Sequence, residues 1–478
     1  MKRPVRITLG VVLSLVVVGL VLVFAQGDFV QGLMKRVVST PTYSKNACYN
    51  SECDNKKTTF VIITRPKFVD TIQDFINWKI KNGFTVGVLT VEHINQIYNE
   101  GNPTKNIKKE IETFANHHGT KYFLLIGDTM STNSEDGFDQ DVNLMYDMSN
   151  DWNVPSGYFC AKEFVDPDND GINNYSPDCI NPTDIYYADF NDEDWKENDD
   201  GYIVRGSQAN SYWYDGSSFK SFFAPENTSW GYAEVEKAEL DFETIVARIP
   251  IREPEEFGNI FNKIKKFKPV NTVSLLTDST LMNESEINGN EDFYVNFCSY
   301  PGVNADELAT HLTWCANDYV MVKNLVRSKF GNFVYETFDI DSNINGSDGY
   351  VEAKNKLLNE TNVAIPLFHG GHSSNAALYQ NDVSGFKNIF PAWILSSCSI
   401  GTFTFGTEDS LAEALIKEEK GPAFIIKPLK VYYFFKDSLE GKTVGEAFYN
   451  PGKVIFRKTG ENQDNLIGDP SLKIFNLD

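Results

Sequence analysis

The chain has 478 residues, of which 41% are hydrophobic, enough for two sizeable units or one large α/β block. Its formal net charge of -23 argues against nucleic acid as a partner, because phosphate binding needs a basic face. The acidic balance is typical of a soluble exported protein and is compatible with bound cations.

The first 26 residues have the layout of an export signal. Three basic residues precede an apolar run over residues 7–25, and small residues at its end suit cleavage before Gln26. The same run is just long enough to span a bilayer. A cleaved signal is favoured and a membrane anchor stays open. We therefore expect a secreted or cell-surface protein, membrane-anchored through residues 7–25 if the segment is not cleaved.

Cysteine usage agrees with export. Six of the seven cysteines form three pairs that are near in sequence, a pattern of short-loop disulfides in an oxidising compartment. The pairs are Cys48 with Cys53, Cys160 with Cys179 and Cys298 with Cys315. The pairing is a hypothesis, because six cysteines allow many connectivities. Cys398 is left over, and an unpaired thiol is either catalytic or an ordinary buried cysteine.

Apolar runs and helical stripes alternate along most of the chain. Residues 27–57 are polar and predict a tether or pro-segment. The predicted strands are residues 60–64, 85–91, 122–126, 244–249, 273–276, 363–368, 390–395 and 423–426. The predicted helices are residues 70–81, 106–117, 253–267, 351–358 and 410–420. Strands that alternate with helices predict right-handed crossovers and a doubly wound α/β sheet.

An acidic loop interrupts this pattern. It carries oxygen ligands at alternate positions around Gly171, as a hard cation of the calcium type requires. The predicted ligands of a structural Ca2+ are Asp166, Asp168, Asp170 and Asn173. The pattern is half of an EF-hand signature without its closing Glu, so an acidic surface loop is the alternative. A weaker metal candidate is the cluster Asp184, Asp189, Asp192, Asp194, Asp199 and Asp200.

Two predicted strands end in reactive side chains. The strand over residues 363–368 leads to His369 and His372, and the strand over residues 390–395 leads to Cys398. If the two strands are parallel neighbours, their carboxyl ends share the sheet edge where α/β folds place their sites. A histidine there activates the thiol and later protonates the leaving group. Taken singly, each of these residues also fits an ordinary core or surface position.

Several segments, taken in order, resemble the gingipain family of cysteine peptidases, peptidase family C25 of the caspase-like clan CD. They are residues 59–94, 122–128, 183–190 and 245–257, the HGGHSS and ILSSCS strand ends, and residues 465–475. The resemblance implies a caspase-like α/β fold of two side-by-side subdomains, with mainly parallel sheets flanked by helices. It places a gingipain-like N-terminal subdomain at residues 58–267, including the acidic insertion, and the catalytic subdomain at residues 268–478.

The resemblance also implies endopeptidase chemistry on protein or peptide substrates, with Cys398 as the nucleophile. The family pattern after the first strand is Gly-His-Gly-Ser. Gly-His-Ser-Ser around His372 departs from it only at the second Gly, so His372 is favoured over His369 as the catalytic histidine. Asp278 matches the place of the acid that orients the imidazole in the family, and its alternative is a helix cap or a surface acid. Backbone N–H groups of Cys398 and of the residue after the histidine would hold the oxyanion.

Cleavage specificity and oligomeric state are not readable from the sequence. Glu291, Asp292 and Asp437 are candidate acids for a pocket that selects Arg or Lys. The aromatic residues 432–435 are candidates for an apolar pocket wall, and the alternative for them is an ordinary core strand. A catalytically inactive surface binding module and a sortase or transpeptidase of the same fold stay open. A metal-dependent hydrolase using His369 and His372 ranks last, because two histidines supply too few ligands.

Overall fold

The structure is a computed structural model, in which Ala47–Asp478 form one compact unit. It describes residues 46–129, 151, 153–165, 174–190, 196–197, 203–205, 242–279, 316–340, 348–368, 374–375, 377–394, 409–428, 431–449 and 465–477. The predicted signal or anchor segment lies outside these residues. Among the residues described, no helix is long and apolar enough to cross a membrane.

The strands of the described residues include every run that the sequence predicts as a strand. They are β1 Ala47–Tyr49, β2 Phe60–Thr64, β3 Val86–Thr90, β4 Tyr122–Ile126, β5 Gly157–Val165, β6 Asn174–Thr183, β7 Lys196–Glu197, β8 Ile203–Arg205, β9 Ile245–Ile249, β10 Val273–Asp278, β11 Phe333–Phe338, β12 Val363–Leu367, β13 Ser374–Asn375, β14 Leu378–Tyr379, β15 Ile389–Ile394, β16 Gly421–Ile426 and β17 Leu466–Ile467.

The helices of the described residues connect these strands. They are α1 Gln73–Lys81, α2 Val91–Tyr98, α3 Pro103–Thr113, α4 Ile185–Ala188, α5 Glu256–Lys266, α6 Ala316–Phe330, α7 Asp348–Leu358, α8 Leu411–Lys417, α9 Val431–Leu439 and α10 Val444–Phe448. The predicted class, an α/β fold with a mainly parallel sheet flanked by helices, is confirmed.

Eleven of the strands form one sheet in the order β1-β3-β2-β4-β9-β17-β16-β15-β12-β10-β11. The strands from β1 to β9 run parallel to their neighbours, and so do those from β16 to β11. β17 is parallel to β9 and antiparallel to β16, so the strand direction reverses there. The carboxyl ends of the two strand groups therefore lie at opposite edges. The boundary predicted between residues 267 and 268 stays a prediction.

The central strands are mostly apolar and are buried along their whole length. All residues of β2, β4, β9 and β10 are buried. Parallel strands that are covered on both faces read as continuous rather than alternating apolar runs. Such continuous apolar runs are visible in the sequence, which explains why the sequence locates these strands well.

One apolar run is helical rather than a continuation of the strand before it. The ordinary core strand that the sequence offers for residues 432–435 is wrong, because the chain forms α9 there. Besides Asp437, its buried positions are Val431, Phe434, Phe435, Ser438 and Leu439. Their spacing of three and four residues puts one stripe of the helix against the core. The run therefore covers the sheet instead of extending it.

The cysteine pairing stays a prediction, and the structure describes two of the three predicted pairs. Cys48 and Cys53 are both buried with their Cα atoms 5.1 Å apart, within disulfide range. Cys160 and Cys179 lie on β5 and β6, which are antiparallel neighbours, at the register shift between Phe159 and Ala161. Cys298, Cys315 and Cys398 lie outside the described residues.

Candidate active site

The two strands that lead to the predicted catalytic residues are neighbours. β12 and β15 pair in parallel, with Ala364 opposite Trp393. β12 ends two residues before His369, and β15 ends four residues before Cys398. Because parallel neighbours end at the same edge of a sheet, both segments leave the sheet side by side. A Cys-His site at one sheet edge requires that these two strands are parallel neighbours, and they are.

Several predicted site residues lie outside the part of the chain that the structure describes. They are the catalytic candidates His369, His372 and Cys398, the metal candidates Asp166, Asp168, Asp170 and Asn173, and the pocket acids Glu291 and Asp292. Within the described residues, no group of three or more His, Cys, Asp or Glu could hold a metal ion. The calcium prediction thus concerns residues outside the described part of the chain and stays a prediction.

Asp278 lies at the same edge as the two catalytic segments. β10 pairs with β12 on the side away from β15, and its last register pair is Thr277 with Leu367. Asp278 is one position further along β10 and lies level with Phe368, the residue before His369. It is 2% exposed. The following residue, Ser279, donates its N–H to the Phe338 carbonyl of β11 at 2.8 Å, which fixes the end of β10.

After the histidines, the chain forms a small hairpin. β13 and β14 pair in antiparallel fashion, with Ser374 opposite Tyr379. Asp382 accepts a hydrogen bond from the Tyr379 N–H at 3.1 Å and forms an ion pair with Lys354 of α7. This hydrogen-bonded contact with Asp382 raises the pKa of Lys354. The hairpin is thus fastened to the helix that precedes β12.

After Cys398, the next described residues are Asp409 and Ser410, at the start of α8. Ser410 caps this helix in a capping box with Glu413, in which each side chain accepts a backbone N–H of the other residue. The Asp409 carboxylate pairs with Lys417 at 2.7 Å. The Gln380 side chain, from the segment after the hairpin, donates to the Asp409 carbonyl. The chain after the histidines is therefore hydrogen-bonded to the chain after Cys398 through Gln380 and Asp409.

The candidate pocket residues on α9 differ in how far they are exposed. Asp437 is buried, and its carboxylate is 2.9 Å from Lys442 Nζ. Phe434 and Phe435 are buried in the core, whereas Tyr433 is 37% exposed. The aromatic run therefore does not present one continuous face to a pocket.

A buried charged network that the sequence did not predict lies beside β9. Arg248 is fully buried, and it donates from Nε and Nη2 to the two carboxylate oxygens of Asp184 at 2.9 and 2.7 Å. It also donates to the carbonyls of Gly127 and Val154 at 3.0 and 2.7 Å. Asp184, predicted as a weak metal candidate, is thus an ion-pair partner. An arginine in the middle of an apolar strand was the available signal.

The described residues form a mainly parallel α/β protein in which the strand before the histidines and the strand before Cys398 are parallel neighbours. Residues 53–475 match the family described as peptidase family C25, and the chain belongs to that family. The resemblance to cysteine peptidases seen in the sequence is thereby confirmed. Comparison with curated proteins gives no match.

Solved structures that resemble the chain include two peptidases. One is the Arg-specific cysteine proteinase gingipain R, with 15% identity, coverage of 91% of this chain and 79% of that chain, and a TM-score of 0.49. A second is described as a protease, with 12% identity, coverage of 90% and 79%, and a TM-score of 0.47. Dimeric latent PorU from Porphyromonas gingivalis aligns with 13% identity over 45% of this chain and 16% of that chain, with a TM-score of 0.25.

Proposed function

We propose that the protein is an exported cysteine endopeptidase that hydrolyses peptide bonds through Cys398 and His372. The observation that carries the proposal is the parallel pairing of β12 with β15, since these strands lead into the histidine and cysteine segments. The match to peptidase family C25 spans both segments, from residue 53 to residue 475. Its substrates are proteins or peptides.

The chemistry follows from the properties of the pair. His372 takes the thiol proton, and the Cys398 thiolate attacks the carbonyl carbon of the scissile bond. Backbone N–H groups of Cys398 and Ser373 stabilise the oxyanion of the tetrahedral intermediate. When this intermediate collapses, His372 protonates the leaving amine and an acyl-enzyme remains. His372 then deprotonates a water molecule, which attacks the thioester and releases the acid and the thiol.

Asp278 is proposed as a positioning residue for the imidazole. Its support is the register of β10 with β12, which brings its backbone level with the start of the histidine segment. A buried carboxylate that accepts the second N–H of the imidazole fixes the ring orientation and stabilises the imidazolium.

Export, disulfides and calcium complete the proposal. Export is supported by the first 26 residues and by the 5.1 Å approach of Cys48 and Cys53, which we propose as a disulfide. Calcium binding by Asp166, Asp168, Asp170 and Asn173 is supported by the backbone around them. β5 ends at Val165 and β6 begins at Asn174 directly opposite, so the predicted ligands belong to the loop that closes a β-hairpin.

Activity-based labelling tests the function. The exported protein, in calcium-containing buffer, is treated with acyloxymethyl ketone probes that present Arg, Lys, Asn, Asp or Leu, and the labelled peptide is mapped. We expect labelling of Cys398 that is lost in His372→Ala and kept in His369→Ala. Absence of labelling by every probe in folded protein would favour a binding module. Product formation only when an amine acceptor is added would favour a transpeptidase.

A further inference from the structure

Two tyrosine rings lie side by side next to the hairpin that follows the histidines. Tyr379 of β14 and Tyr350 of α7 have ring centroids 6.4 Å apart, with an angle of 52° between the ring planes. Tyr379 is 37% exposed, and Tyr350 is half-buried. A single exposed tyrosine is ordinary on a protein surface. This pair differs because the fold defines both its position and its contacts.

Strand pairing places Tyr379 beside the chain that comes from the histidines. In the hairpin, its backbone is directly opposite Ser374. Ser374 follows His372 by two residues in the sequence. Opposite residues of an antiparallel pair have Cα atoms only about 4.5–5.5 Å apart. The hairpin therefore brings Tyr379 back to the point where the chain leaves the histidines.

Tyr350 lies at the same edge of the sheet. Its helix, α7, joins β11 to β12, and both strands pair in parallel with β10. A helix between parallel strands runs back across the sheet, so α7 begins at the carboxyl edge. Gly349, next to Tyr350, packs so closely against the carbonyl of Asp339, directly after β11, that a Cβ would not fit there. The tyrosine pair thus lies at the edge where β12 and β15 lead to the proposed catalytic residues.

One carboxylate holds both tyrosines in place. Asp382 accepts hydrogen bonds from the Tyr379 N–H at 3.1 Å and from the Tyr350 hydroxyl at 3.5 Å. It also forms an ion pair with Lys354, one turn further along α7. A surface that is held in this way before binding loses little conformational freedom when a ligand packs on it.

The charges near the rings indicate which kind of side chain fits. Lys354 balances the charge of Asp382, so the cluster does not attract a cation by net charge. Lys354 Nζ is also 5.7 Å from the centre of the Tyr350 ring, which opposes a second cation there. The exposed residue of the pair is Tyr379. An aromatic side chain packs on a tyrosine ring in an offset or edge-to-face arrangement and gains more than its buried area alone supplies.

The proposed reaction indicates which part of a substrate comes here. His372 protonates the leaving amine, which begins the part of the substrate after the scissile bond. That part of the substrate must therefore pass the histidine side of the site. Tyr379 belongs to the chain that continues from the histidine.

We propose that Tyr379, supported by Tyr350, is a specificity-determining residue that binds an aromatic side chain of the substrate on the leaving-group side. The side chain belongs to one of the first three residues after the scissile bond, which span about 10 Å in an extended chain. This inference rests on the proposed function and adds to it a preference in the peptide substrate.

Peptide cleavage by the full exported protein tests the proposal. Before the scissile bond, each peptide carries the residue of the most reactive acyloxymethyl ketone probe. After the bond, it carries Phe or Ala at each of three positions in turn. We expect kcat/KM to favour Phe over Ala at one of these positions by roughly 2–10-fold. Tyr379→Ala should abolish this preference, and Tyr379→Phe should keep it because the ring is retained.

Ile97→Ala is the control for removal of an exposed apolar side chain. Ile97 lies on α2 in the first group of strands and is 47% exposed. This variant should keep the preference for Phe. The ketone probes present no residue after the scissile bond, so Tyr379→Ala should label at Cys398 at the wild-type rate. Slower labelling would assign Tyr379 to the folding of the catalytic edge and would overturn its role in specificity.

Wild type alone can also overturn the proposal. Equal kcat/KM for the Phe and Ala peptides at all three positions would do so, and so would a Phe preference that persists in Tyr379→Ala. Labelling of Cys398 without a Phe preference would refute this inference and leave the peptidase standing. Absence of labelling by every probe would refute the proposed function and this inference with it.

Discussion

Lys79 and Asp469 form a fully buried ion pair, with Lys79 Nζ 2.9 Å from Asp469 Oδ2, although they are 390 residues apart in the chain. Lys79 belongs to α1, and Asp469 follows β17. The rings of Phe60 and Phe84 lie 4.3 and 4.2 Å from the ammonium group. The pair therefore fastens the closing segment of the chain to the first group of strands.

Lys79→Met is expected to lower the free energy of unfolding by about 3–5 kcal/mol, because it leaves the Asp469 charge buried without its cation. Unfolding in urea measures this loss. Lys109→Met is the control, since Lys109 and Glu100 form an ion pair in which both side chains are largely exposed. Its effect is expected to stay within about 1 kcal/mol. Equal effects of the two variants would contradict the structural role of the buried pair.

Asp278→Asn is expected to lower kcat for a peptide substrate by roughly 10²–10⁴-fold with little change in stability, because the imidazole loses the carboxylate that orients it. The pH profile of kcat/KM should shift as well, since the carboxylate stabilises the imidazolium. Steady-state kinetics with a peptide substrate measure both effects. Asp339→Asn serves as the control, because Asp339 directly follows the neighbouring β11 but is exposed. Unchanged kinetics in Asp278→Asn would remove Asp278 from the site.

Asp437→Asn is expected to leave the preference among Arg-, Lys- and Leu-leading probes unchanged. Its carboxylate already faces Lys442 at 2.9 Å, so it is committed to an ion pair on and after α9. Relative labelling rates of Cys398 with the three probes measure the preference. A selective loss of reaction with the Arg and Lys probes would identify Asp437 as the pocket acid instead.

Lys263→Met is expected to change how stability depends on pH. Burial lowers the pKa of Lys263 from 10.5 to about 7. Between these values the unfolded chain holds a proton that the native protein lacks, so wild-type stability rises with pH, by at most about 1.4 kcal/mol per unit. The variant should lose this rise, as seen by urea unfolding from pH 7 to 10.

Lys265→Met, an exposed lysine on the same helix, should retain the rise seen in wild type. A pH dependence that is the same in Lys263→Met and wild type would show that Lys263 is charged in the native protein.

Removal of calcium is expected to lower the Tm of the protein. A site that binds only the native state stabilises it by about 2.7 kcal/mol when calcium is at 100 times its Kd. Differential scanning calorimetry with calcium and with a chelator measures the shift. Asp168→Asn combined with Asp170→Asn should abolish the shift, whereas Asp151→Asn, an exposed partner of Lys67, should keep it. An identical Tm with and without calcium would refute the site.

The sequence by itself determined the parts of this protein that depend on local patterns. The continuous apolar runs of β2, β4, β12 and β15 identify buried strands, because a strand covered on both faces is apolar along its whole length. The alternation with helices predicts their parallel pairing. The strand ends before His369 and Cys398 followed from the same patterns.

Tertiary structure alone decided which distant groups meet. The reversal of strand direction at β17 depends on the pairing of a two-residue strand, too short to carry a periodic signal. Lys79 and Asp469 belong to segments that are far apart in sequence, and each charged residue by itself looks like a surface group. Only folding removes these groups from water, and burial then decides which of them stay charged and which hold a proton.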